Sequence, residues 1–229
     1  MRPLLQIRQW LLVLGTASIL SACSSQPTLP TFSASGFIAD DGVIRLWRLN
    51  DPQNEPQVLM VVYSPYQDQN TSVTFFEYRD GQLWQVRSQI LHAGEQQIQE
   101  QLRFNRNNDA IFMQRETASQ KTPLSSDDIT RWRFEANRIL DISTALVVGD
   151  IKLYQGYWQQ GKIETCDGEI RKVSFEPYAE NWLKQRERES RGQKQNKLTI
   201  AWLEAPAGNQ LLMVANDNFC KWQPTEKSL

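Results

Sequence analysis

Asp80-Gly81 is the turn that most restricts what this 229-residue chain can fold into. It separates Val73 to Arg79 (VTFFEYR) from Gln82 to Ile90. A two-residue connection needing positive φ is made most readily by Asp and Gly, so the two runs read as an antiparallel hairpin. The same punctuation recurs. Phe37 and Ile38 precede Asp40-Asp41-Gly42 and Val43 to Leu49, and Gln97 to Asn105 meets Ala110 to Glu116 across Asn107-Asn108-Asp109. Two more pairs follow: Lys152 to Gln159 with Lys162 to Thr165, and Leu198 to Glu204 with Gln210 to Ala215. Val58 to Tyr63 (VLMVVY) is apolar without alternation and is closed by Ser64-Pro65, which predicts a strand covered on both faces. In Gln97 to Asn105, Ile98, Leu102 and Phe104 alternate with charged and amide groups, so one face of that strand is wet.

Between the strand runs lies one long helical pattern. Ser125 or Ser126 caps it, and Asp127 and Asp128 sit in its first turn, where the helix dipole favours negative charge. Ile129, Trp132, Ala136, Ile139, Leu140, Ser143 and Val147 follow at helical spacing. Tyr178 to Ser190 forms a shorter helix, and the polar tail after Trp222 reads as frayed. The expected fold is α+β: mainly antiparallel sheet, as a sandwich or open half-barrel, with one long and one short helix.

The N-terminus carries an address. Arg2 and Arg8 precede an apolar run from Trp10 to Leu20, too short to span a bilayer, which needs about 20 apolar residues. Small residues follow, the grammar of a removed signal peptide. Leu20-Ser21-Ala22-Cys23 resembles the lipobox of bacterial lipoproteins. That resemblance implies a signal peptide over residues 1–22 and lipid attachment at Cys23, by a diacylglyceryl group on sulfur and palmitate-class acylation of the new terminus. Two or three buried chains, at about 0.8 kcal/mol per methylene, make such an anchor effectively permanent. Ser24, in place of Asp, favours the outer membrane, with the body on its periplasmic face. Residues 23–35 (CSSQPTLPTFSAS), with Pro27 and Pro30 among small polar residues, read as a flexible tether, and residues 36–225 as a single domain.

Charge excludes one large class of partner. With 25 Lys and Arg against 26 Asp and Glu, the chain has no excess of positive charge for releasing counterions from a nucleic acid. A hydrophobic fraction of 40% argues against disorder. Of three cysteines the lipobox uses one, which leaves Cys166 and Cys220 as an even pair in an oxidising compartment and predicts a disulfide between them. A thiolate metal or redox site would need C-x-x-C spacing or a nearby His, and neither is present.

Catalytic grammar is sparse. His92 is the one histidine; it sits at a strand end beside Ala93-Gly94, with no G-x-S-x-G elbow, and H-E-x-x-H is impossible. Asp40-Asp41 and Asp127-Asp128 are adjacent acid pairs, but a turn and a helix start both favour Asp for local hydrogen bonding. No cofactor and no metal are expected, and the chain reads as a non-enzyme.

Two features suit binding instead. Lys184, Arg186, Arg188, Arg191, Lys194 and Lys197 outweigh Glu187 and Glu189. Arg186, Arg188 and Arg191 are thus a candidate surface for lipid phosphate or an acidic partner, beside the alternative of a solvated helix end laced with ion pairs. Trp47, Trp84, Trp132, Trp158, Trp182, Trp202 and Trp222 are spread over nearly every element; most belong in a core, and one or two are free to line a groove. The lipobox, the D-G-x-I-R-L-W-R stretch from Asp41 to Arg48, Cys166-Asp167-Gly168 and Phe219-Cys220 together resemble the YjaH-like proteobacterial lipoproteins of unknown function. That group implies no site residues. The leading expectation is an outer-membrane-anchored, periplasmic binding or interaction module whose partner is an envelope protein, lipid or glycan. The alternatives are a LolB-like acyl-chain or lipoprotein carrier and a carboxylate-based hydrolase of cell-wall glycans.

Overall fold

The computed structural model describes residues 28–67, 70–92, 95–190, 198–216 and 218–229. Cys23, the segment expected to be a signal peptide, and Arg191, Lys194 and Lys197 lie outside the described residues. Eight strands form one antiparallel meander in chain order: β1 (Phe32–Ala39), β2 (Gly42–Asn50), β3 (Pro56–Pro65), β4 (Asn70–Arg79), β5 (Gln82–His92), β6 (Glu95–Phe104), β7 (Ala110–Thr117) and the two-residue β8 (Lys121–Thr122). Asp80 and Gly81 have φ of 51° and 72°, so the β4–β5 connection is the tight turn that its sequence predicts.

Helix α1 (Ser126–Val148) lies on one face of this sheet. Ser125 is its N-cap, closing a capping box with Asp128. Trp132, Ala136, Ile139 and Ser143 are its buried residues, and they meet Ile44, Leu46, Leu59, Phe76 and Leu102 from the strands. The apolar side chains at this contact fill it: Phe76, Leu102, Ala136 and Ile139 are each at most 1% exposed. Tyr78 donates its hydroxyl to the Ala136 carbonyl at 3.1 Å, and burial pushes that phenol well above its ordinary pKa.

A second sheet covers part of the opposite face. Its order is β11 (Ile170–Arg171), β10 (Lys162–Thr165), β9 (Lys152–Gln159), β12 (Leu198–Ala205) and β13 (Gly208–Ala215). Leu153, Ala201, Leu203 and Leu212 pack on Val43, Trp47, Met60 and Val62 of the large sheet. Strands β2 and β3 therefore lie between two layers, with Leu59 and Val61 facing the α1 side while Met60 and Val62 face the second sheet. This double coverage is why VLMVVY does not alternate. Helix α2 (Pro177–Ser190) brings Leu183 against Trp158, Ile163, Leu198, Ile200 and Trp202 on the far side of the second sheet.

Two boundaries differ from the sequence reading. Strand β1 begins at Phe32 inside the stretch read as tether, with Phe32 paired to Leu49 and Ser35 to Leu46. Local composition there is small and polar; the order comes from pairing with β2 and from Phe32 and Ala34 packing on the second core. The tail is also held rather than frayed. Phe219–Trp222 forms a 3-10 turn, and Leu229 packs against the same core.

Candidate functional site

The second sheet stops covering the large one at its Val73, Phe75 and Leu91 contacts. Beyond them the register builds an open grid of nine side chains. Gln85 pairs with Arg103, Arg87 with Gln101 and Gln89 with Gln99 across β5 and β6. Arg103 then pairs with Phe112, Gln101 with Gln114 and Gln99 with Glu116 across β6 and β7. Residues two apart on a strand share a face, and directly opposed residues share it across strands, so all nine point the same way. Five are carboxamides. Gln85 is buried at 5% exposure by its neighbours, while Phe112 is 37% exposed.

Two bulges set the rim of this grid. The β4–β5 register jumps so that Glu77 faces Gln85 and Tyr78 faces Leu83, which leaves Trp84 as the extra residue. Ile111 is the extra residue in the same way, because Arg103 faces Phe112 and Phe104 faces Ala110. A bulge re-aims the inserted side chain out of strict alternation. Trp84 accordingly stacks on guanidinium groups, with that of Arg79 3.4 Å and that of Arg103 5.8 Å from its ring centre, and Ile111 is 62% exposed.

Hydrogen bonds hold the lower part of the grid in place. Arg103 donates to Gln85 at 2.7 Å, Arg87 to Glu77 at 2.6 Å and Gln85 to Glu77 at 3.4 Å. Arg103 also lies 5.6 Å from the Phe112 ring centre, and Arg87 4.8 Å from that of Phe75. Glu77 pairs with Arg87 at 2.6 Å and Glu116 with Lys121 at 3.0 Å, so the face carries polar groups and two ion pairs beside Arg103. Behind it, on the α1 side, Glu100 accepts from Arg115 at 2.6 Å and from the Trp132 indole at 2.8 Å. That cluster locks β6, β7 and α1 together and keeps the floor of the grid rigid.

The residues singled out by sequence are dispersed. His92 ends β5 and is exposed, its Nδ1 2.8 Å from Asn70 Oδ1. Asp40 and Asp41 line a groove of about 600 Å³ with Tyr63, Tyr66, Asn70 and Ser72; through Asn70 the sole histidine adjoins the same groove. Asp128 belongs to the helix cap, where Ser125 donates to it from side chain and backbone. Arg186 lies 3.7 Å from Glu189 on α2, a helical ion pair of the solvated kind. Cys166 and Cys220 are bonded to each other, joining β10 to the 3-10 turn. Among the described residues no group of three or more His, Cys, Asp or Glu is placed to hold a metal, and no helix is long and apolar enough to cross a membrane.

Of the tryptophans, Trp47, Trp132, Trp158 and Trp202 are core, Trp182 is 39% exposed on α2, and Trp84 is the one at the grid. The grid carries a sequence signal, of which the wet face of Gln97 to Asn105 is one part. Gln85, Arg87 and Gln89 recur at period two, as do Gln99, Gln101 and Arg103, but register was needed to bring them together.

Comparison with known proteins places the chain. The model of a protein family of unknown function, DUF1481, matches residues 34–225. The chain belongs to the DUF1481 family. This DUF1481 member is similar to the uncharacterised protein YjaH of Escherichia coli (strain K12), 36% identical over 228 residues that cover 99% of this chain and 95% of YjaH. No solved structure matches the chain. The Asp41–Arg48 stretch that carried the resemblance lies at the centre of this DUF1481 fold: Arg45, Leu46 and Trp47 are each 1% exposed, and Arg48 is 4% exposed.

Proposed function

We propose that the protein is a non-enzymatic binding module, lipid-anchored through Cys23 on the periplasmic face of the outer membrane, and that the grid on β5, β6 and β7 is its binding face. The observation that carries this reading is the nine-residue grid itself. A sheet face left open beside a covered one, with a rigid floor and planar donors and acceptors in register, is built to hold something. The filled contact between α1 and the sheet favours this reading over the acyl-chain carrier, which needs an internal cavity. Arg186 and Arg188 on α2, together with Arg191, remain a secondary surface.

The hydrolase alternative has one specific observation in its favour, the Asp40 and Asp41 groove with His92 nearby. Complementation of a deletion phenotype separates the two at matched protein level. Gln89→Glu combined with Gln101→Glu should abolish function, whereas the Asp40→Ala/Asp41→Ala pair and His92→Ala should retain it. A folded, tethered acid-pair variant that is wholly inactive, beside a fully active grid variant, would replace binding with hydrolysis.

A further inference from the structure

From the chemistry of the grid we infer that its ligand is a glycan strand of the cell wall, an inference that rests on the binding-module reading and names the occupant of that same face. Each competing class of partner asks for something the face lacks. A nucleic acid or an anionic lipid surface asks for accumulated positive charge. Here Arg87 is paired with Glu77 at 2.6 Å and Glu116 with Lys121 at 3.0 Å, which leaves Arg103 as the single grid cation outside an ion pair among the described residues. A folded protein partner asks for a desolvated apolar centre and a polar rim. This face has the reverse arrangement, with Gln101 at the centre and Trp84, Ile111 and Phe112 at one margin. An extended peptide docks on a strand edge through backbone groups and leaves a sheet face unused.

A polyhydroxylated chain matches what is present. A carboxamide has an acceptor oxygen and two donor hydrogens in one plane, the complement of hydroxyl and acetamido groups, which also both donate and accept. Gln85 engages Arg103 and Glu77, so Gln89 and Gln101 are the amides that present this pattern outward. Arg103 adds a forked donor, and no carboxylate lies within ion-pair distance of it among the described residues. The columns are spaced by strands, about 4.8 Å apart, so a glycan crossing β5, β6 and β7 along the middle row meets the planar groups of Arg87, Gln101 and Gln114 in turn. The proposed anchor selects the source. From Cys23 to Leu29, whose backbone N–H is bonded to Asn54 at 3.0 Å, six residues reach about 20 Å when fully extended. That holds the body on the periplasmic side, where the wall is the glycan within reach.

Purified full-length mature protein, without the acyl chains, should co-sediment with isolated cell-wall sacculi. Retention should persist when salt is raised tenfold, because little of the binding is charge-driven. Gln101→Glu with Gln114→Glu, nearly isosteric changes that remove donors and add charge, should weaken retention at least tenfold with an unchanged circular dichroism spectrum. Lys162→Glu, at an exposed position of β10 outside both proposed surfaces, should leave retention unchanged. Absence of wild-type co-sedimentation, or equal retention of the glutamate variant, overturns the assignment. Photocrosslinking in cells from position 101 separates this failure from failure of the broader reading. Capture of a protein or lipid there would remove the glycan and keep the binding face, and capture of nothing would remove both.

Discussion

Arg45 of β2 donates to the Gln155 side chain of β9 at 2.7 Å, joining the two sheets through a guanidinium that is 1% exposed. The same group reaches Ser64 at 3.1 Å and lies 4.8 Å from the Phe219 ring centre. The Gln155 side chain in turn donates to Gln223 at 3.1 Å, and the Gln155 backbone carbonyl accepts from the Cys166 backbone N–H at 3.0 Å. One arginine thus gathers both sheets, the 3-10 turn and one end of the disulfide into a single polar cluster inside an apolar interface. Hydrogen bonds from a charged donor contribute more than neutral ones, and stranding their acceptors costs the full desolvation of each.

Arg45→Ala should therefore lower unfolding free energy by about 2–4 kcal/mol, as expected for a buried network left unsatisfied. Arg45→Met, which keeps much of the volume, should cost less than Arg45→Ala. Urea denaturation of both variants checks the order, and equal losses would show that the stranded hydrogen-bond partners, rather than the lost volume, set the cost.

The Cys166–Cys220 bond closes a loop with a sequence separation of 54. Chain entropy assigns about 4 kcal/mol to a loop of this size. Alkylation before and after reduction, read by mass, should show both thiols protected until reductant is added. Reduced protein should unfold at lower urea by a corresponding margin.

At the start of α1 the Asp128 carboxyl is held at about 2 rather than 3.8, chiefly by hydrogen bonds from the Ser125 side chain and then its backbone, with Arg131 and Arg115 adding to them against the opposing effect of burial. Its folded pKa lies below the unfolded one, so its contribution to stability is full above 3.8 and is lost as pH falls through about 2. Asp128→Ala should cost about 0.5–2 kcal/mol near neutrality, the usual range for a helix cap. The gap between wild type and variant should close as the pH approaches 2. Thermal midpoints measured across that range give the comparison directly.

For the anchor, Cys23→Ala should abolish incorporation of a tagged fatty acid and leave unprocessed or soluble protein. Equal label in wild type and variant would remove the lipid anchor from the proposed function, and with it the argument that the wall supplies the glycan, while the grid as a binding face would stand.

Legibility of the fold tracked how local the determining forces were. Asp80-Gly81, the Ser125 cap and the VLMVVY run each declare their structure through their own backbone or burial needs, and each is found where the sequence put it. Phe32 to Ser35 and Leu229 are ordered by partners distant in the chain, which no local pattern announces. The grid fell between these cases. Polar groups at period two are visible on β5 and β6, but the bulges that expose Trp84 and Ile111 arise from a mismatch of two paired segments. Arg45 and Arg48 read as solvent-facing by type. Their burial follows from hydroxyl and amide partners, Ser143 and Thr144 on α1 among them, that only the assembled layers supply.

The meander also sets an order of biogenesis. Every neighbour in the large sheet is adjacent in the chain, so a polypeptide emerging N-terminus first can complete eight strands and α1 by Val148. At that stage Val43, Trp47, Met60 and Val62 still lack their covering layer, because β9 pairs with β12 and the intervening segment must be made first. A nascent chain halted at Val148 is thus topologically finished on one side and adhesive on the other. Such a fragment should self-associate and take up a dye specific for apolar surface, while the full chain does neither.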